Sequence, residues 1–229
     1  GNDVQCIFNS QSADGNFSTT RLMKKADLSD IGGSGGFTLS REAGVISFSG
    51  PLANTGGSGE YTFKENAKFK TQLDNQGMKG IGNGSLFILC LTDINSNYLR
   101  LLKENGYENI SMVQLQNLAF QNLSLELLQG YFQMKATTAM GKISLDQLVA
   151  MKTMNVSPQY VNSLRELGYK QLSFDEIMAA RTHGVDKEFI NSMIAKGYKN
   201  LTIEQLIELK VKGTNAVTAP SKEKAGSIN

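Results

Sequence analysis

Apolar positions change their period close to residue 66. Ahead of that point they alternate with polar ones: Phe37 and Leu39, Ile46 and Phe48, and Tyr61 and Phe63 each put two apolar side chains on one face of a pleat. The Arg41–Gly44 segment (REAG) between the first two runs suits a hairpin loop, and PLANTGGSG, from Pro51, separates the second run from the third. In DVQCIFN, alternation places Val4, Cys6 and Phe8 together, which makes Cys6 a small apolar residue facing inwards. Residues 16–27 supply a candidate further strand. The pattern predicts a small antiparallel sheet of four or five strands with one apolar face. So small a face needs a cover.

Beyond residue 66 the apolar positions recur at helical spacing, and the pattern itself repeats. Ile110-Ser111, Ile143-Ser144, Leu172-Ser173 and Leu201-Thr202 lie 33, 29 and 29 residues apart. Each hydroxyl has Gln114, Gln147, Glu176 or Gln205 three positions on, the spacing of a capping box. Apolar residues follow at the fourth and seventh positions, and Asn122, Asn155, Gly184 or Gly213 then offers a left-handed stop. A second helix opens behind Asn95, Ser124, Ser157 or Asp186, and three of these four end in Gly-Tyr, at Gly106, Gly168 and Gly197. A partial copy with Phe69, Leu73 and Gly77 precedes them, and Ser85 is expected to cap the helix SLFILCL. The sum is about five hairpins of helices near 11 residues, too short to be stable alone, which must stack on one another. Because SLFILCL is apolar all round, it is expected at the junction with the sheet.

The expected organisation is therefore α+β: an antiparallel sheet over residues 1–66, a helical-hairpin repeat array packed on it over 67–214, and a flexible tail over 215–229. One unit breaks the repeat. Between Ser124 and Ile143 the chain carries four extra residues and no Gly-Tyr, which predicts a longer helix ending near Gly141. Either the extra turn is simply tolerated, or Tyr131, Phe132, Met134, Lys135 and Met140 form a protruding or groove-lining patch for a partner.

Composition narrows the function classes. Lysine and arginine total 23 against 21 acids, so the net charge of +2 gives no reason to expect nucleic acid or an acidic membrane as partner. No apolar run reaches the 18 residues of a membrane helix and none at the start has a signal-peptide core, so a soluble chain is expected. Two cysteines make no framework, and a Cys6–Cys90 bridge is left open, the unbridged state favoured. His183 is the only histidine and precedes a helix stop, where a cationic side chain suits the dipole. The metalloprotease, phosphate-loop, nucleophile-elbow and calcium-loop motifs are missing. No catalytic, metal or cofactor residues are expected. The six Asn-x-Ser/Thr triplets read as helix punctuation rather than glycosylation sites.

The stretch GGFTLSREAGVISFSGPLANTGGSGEYTFKENAKF, with the Tyr-x3-Leu-x3-Gly-Tyr-x2-Leu-Ser repeats after it, resembles a family of bacterial extracytoplasmic repeat modules. Similar segments form C-terminal extensions of membrane metallopeptidases of the antibiotic-sensor type. The resemblance implies an exported location and a sensing or protein-interaction role, and carries no catalytic residues; the peptidase zinc motif is absent. Departures are the missing Gly-Tyr in the Ser124–Lys142 unit and Ala67 where the family often has proline. The expected function is non-enzymatic recognition of a protein or peptide by the repeat surface. The alternative is a small-ligand site, or an enzyme, in the crevice between sheet and first repeats.

Overall fold

The computed structural model describes residues 2–12, 15–29, 36–50 and 57–213. The glycine cluster at 32–35, the loop at 51–56 and the tail at 215–229 lie outside the described residues. Two compact units divide the chain, Gly1–Leu125 and Glu126–Asn229.

The first unit opens with a ribbon, β1 (Asp3–Ser12) against β2 (Gly15–Lys24), in which Cys6 faces Arg21 and Phe8 faces Thr19. A 3-10 turn at Lys25–Asp27 then breaks the extended chain. Strands β3 (Leu28–Ser29), β4 (Phe37–Arg41), β5 (Gly44–Ser49) and β6 (Glu60–Glu65) form an antiparallel sheet in chain order. Instead of one sheet of four or five strands there are six strands in two sheets among the described residues. The ribbon meets the sheet with its face: the Phe8 ring lies 5.7 Å from Phe48 and 5.3 Å from Tyr61. Register sets the apolar face in rows, Phe37–Phe48–Tyr61 and Leu39–Ile46–Phe63.

Ten α-helices follow among the described residues: α1 (Ala67–Asn75), α2 (Asn83–Leu91), α3 (Ser96–Glu104), α4 (Met112–Phe120), α5 (Leu125–Lys135), α6 (Leu145–Thr153), α7 (Pro158–Glu166), α8 (Phe174–Thr182), α9 (Lys187–Ala195) and α10 (Ile203–Lys212). The fold is α+β, a small antiparallel sheet at the N-terminus followed by helices. Helix α2 covers the sheet as expected, with every residue from Leu86 to Leu91 buried. The Phe87 ring stacks on Tyr61 at 5.3 Å, and the Cys90 thiol donates to the Gly44 carbonyl (3.4 Å). A Cβ at Gly44 would sit 2.5 Å from the Phe63 ring and the Lys64 carbonyl, so this close approach admits only glycine. Cys6 and Cys90 are both free. Among the described residues no helix is long and apolar enough to cross a membrane.

The repeat grammar is realised atom by atom. Ser111, Ser144, Ser173 and Thr202 each close a reciprocal capping box with the acid or amide three residues on. Asn109, Asn122, Asn155 and Asn200 all have φ between 53° and 56°, so the asparagines of these triplets serve as left-handed turn residues. Most helices run for nine residues rather than 11. The Gly-Tyr tyrosine also does more than fold back. Tyr169 N–H closes its own helix on the Leu164 carbonyl (3.2 Å), and its hydroxyl donates to the Leu201 carbonyl (2.8 Å) just ahead of the next cap.

Two expectations are corrected. Gly82, not Ser85, is the N-cap of α2; Ser85 lies inside the helix, where its hydroxyl accepts from Gln116 Nε2 (3.3 Å). Helix α5 stops at Lys135, short of Gly141. The hydroxyls of Thr137 and Thr138 donate to the Met134 carbonyl (2.9 and 3.1 Å) and take the acceptor that further turns would use.

Candidate binding cleft

The residues nominated from sequence do not form an exposed patch. Tyr131, Phe132, Met134 and Met140 are buried, and Lys135 is half-buried. With Leu128, the first three occupy positions that recur at helical spacing along α5, so the extra length of this helix presents its apolar face inwards. Of the five, Tyr131 lines a cleft.

That cleft, of about 340 Å³, lies in the second unit. Leu127, Tyr131 and Val156 make its apolar side; Lys152 and Arg181 supply two cations. Asn155 and Ser157, in the turn from α6 to α7, complete it. Gly130 fixes how closely α5 approaches α7, since a Cβ there would lie 2.7 Å from the Pro158 ring.

The repeat explains why the cleft is open here. In the third position after the cap, α7 and α9 carry rings, Tyr160 and Phe189, and in the seventh they carry Leu164 and Met193. Helix α5 reverses the order, with Leu127 third and Tyr131 seventh after Ser124. The ring in the later copies fills the space beneath a cation eight residues past the next cap: Arg181 lies 5.0 Å over Tyr160 and Lys210 4.3 Å over Phe189. Lys152 is the matching cation of the earlier copy, where Leu127 stands in place of the ring. The Tyr160 hydroxyl also donates to the Val185 carbonyl (2.7 Å), tying the filled copy shut.

Electrostatics differ between the copies in the same sense. The filled copy has Asp186 at the cap where the open one has Ser157. No acid lines the cleft, and neither Lys152 nor Arg181 forms an ion pair among the described residues. Arg181 Nε donates to the Met154 carbonyl (3.3 Å) at the end of α6, which leaves its terminal nitrogens for the cleft. Tyr131 is 1% exposed and lines the cleft. Burial pushes that phenol up to about 12, so it is a neutral donor at ordinary pH.

Cations meet helix ends elsewhere too. Arg41, the last residue of β4, donates to the carbonyls of Cys90 and Leu91 (2.9 and 3.1 Å) at the end of α2. It is also paired with Asp27 (3.1 Å) and Asp93 (3.7 Å). Its neighbour Glu42 accepts from the Ser96 N–H (2.6 Å) at the start of α3. The REAG turn thus offers a cation to one helix end and an anion to the next, as the two dipoles require. Arg21, buried on β2, donates to Asn122 beyond the end of α4. These groups occupy the ground of the alternative reading, between sheet and first repeats; the Arg41 and Glu42 contacts are made there, while the buried Arg21 Nε has no hydrogen-bond partner among the described residues.

Sequence reasoning missed Leu127, Lys152 and Arg181. Two signals carried them: a cation eight residues after three successive caps (Lys152, Arg181, Lys210), and the reversed order of ring and aliphatic residue in the Ser124 unit. His183 is the exposed C-cap of α8. Among the described residues no cluster of His, Cys, Asp and Glu is arranged to hold a metal ion. Comparisons with protein-family models, with curated proteins and with solved structures return no match to this chain.

Proposed function

We propose that the chain is a non-enzymatic binding or sensing module, acting outside the cytoplasm, that recognises a protein or peptide through its helical repeats. The observation that carries the reading is an open copy of a groove that the two following copies fill with a ring. Stacked short hairpins offer extended recognition surfaces, and a copy left unfilled is where a ligand side chain would take the place of the missing ring. The resemblance to extracytoplasmic repeat modules supports the location and the sensing role.

Selection from a random-peptide display library on the intact chain tests this, with Leu127→Tyr as the counter-target. Peptides enriched on the natural chain and lost on the variant are expected. No enrichment, or equal retention by both, would sink the reading.

A further inference from the structure

Building on that reading, we infer that the cleft takes the C-terminal carboxylate of a peptide, with an apolar last side chain beside it. Lys152 and Arg181 bring two full positive charges to a space with no lining acid. The end of α6 and the start of α7 meet at the Asn155–Ser157 turn, and their dipoles, about half a charge of opposite sign each, offset one another. The net attraction for an anion therefore comes from the two side chains. Tyr131, buried beside them, brings a neutral phenol to the lining.

Size and lining select among anions. A cleft of about 340 Å³ is at the small end for ligand sites, with room for a terminal residue rather than a folded surface. Leu127, Val156 and the Tyr131 ring give it an apolar wall next to the cations. A terminal residue carries its charge and its side chain on one carbon and matches both halves at once. An internal aspartate offers only the charge. A phosphate would want convergent backbone N–H donors. The α7 start supplies few: Pro158 has no N–H, and the Tyr160 N–H is spent on the Ser157 hydroxyl (3.1 Å).

The test is a titration of the ¹⁵N-labelled intact chain, followed by amide shifts, with acetyl-Ala-Leu as free acid, the same peptide as C-terminal amide, and inorganic phosphate. The free acid is expected to shift amides around 152–157 and 181 and to saturate. The amide should bind about tenfold or more weakly, the usual loss for removing a charge-assisted contact. Lys152→Gln and Arg181→Gln should each weaken the free acid, and Leu127→Tyr should abolish its shifts while the rest of the spectrum stays folded. Equal binding of acid and amide overturns the carboxylate assignment but leaves peptide recognition standing. Phosphate binding more tightly than the free acid also overturns it. So does the absence of shifts with either peptide, and the library selection then decides the broader reading separately.

Discussion

Arg41 and Arg181 each lie at the end of a short helix and donate to carbonyls there, two for Arg41 and one for Arg181. Arg41, in the first unit, is closed in: its side chain is 16% exposed and two aspartates complete its shell. Arg181, in the second, holds one carbonyl, covers a tyrosine ring and borders a cleft with a second cation and no acid. A satisfied cation at a helix end is a fastening. An unsatisfied one beside a void has capacity left for a ligand, and that contrast separates scaffold from proposed site in this molecule.

The largest expected effect falls on the fastening. Arg41→Ala strips the end of α2 and leaves Asp27 and Asp93 without their cation; urea unfolding should show a loss of about 2–4 kcal/mol, the lower part of that range if the exposed aspartates rehydrate. Next in size is an alkaline effect. Burial pushes Cys90 from 9.0 up to about 12, and Tyr107, Tyr131 and Tyr160 from 10.0 up to about 12. These groups are held neutral in the fold, so their contribution is intact below pH 9 and is lost as pH rises through 12. Stability measured against pH should fall across that window, and Cys90→Ala should lessen the fall that begins near pH 9 without removing it, because burial also raises the Cys6 thiol from 9.0. A fall that begins on the acid side of 9 would point to other groups.

A smaller loss, about 1 kcal/mol, is expected when a capping box is broken by Ser173→Ala or when Tyr160→Phe leaves the Val185 carbonyl without its donor. Smallest is Arg181→Gln, about 0.5–1 kcal/mol, since only one carbonyl contact and a half-exposed cation–ring contact are lost. If Arg181 proved as costly as Arg41, the contrast between fastening and site would collapse.

The local grammar was largely readable in advance, because capping boxes and left-handed stops act within four residues. Ser144 with Gln147, and Asn155 at φ 54°, needed no knowledge of neighbours. The apolar face of each strand was readable for the same reason, since alternation pairs Phe37 with Leu39, Ile46 with Phe48 and Tyr61 with Phe63; the rows across strands came only with the register. What was not readable depended on long-range partners. Ser85 has the form of a cap, but the chain turned into α2 three residues earlier. Tyr131, Phe132 and Met134 stood out because their unit is irregular, yet irregularity says nothing about which way a helix faces, and they face inwards. The cleft arises from a two-residue exchange within α5 and cations from two other helices, and only stacking brings these together.

Exchanging the two residues back, as Leu127→Tyr with Tyr131→Leu, gives α5 the order found in α7 and α9. The affinity of this double variant for acetyl-Ala-Leu, measured beside its urea midpoint, tests the central claim most directly. The account predicts a fold at least as stable as the natural chain, within about 1 kcal/mol, and binding reduced tenfold or more. A double variant that binds the peptide as well as the natural chain does would contradict it.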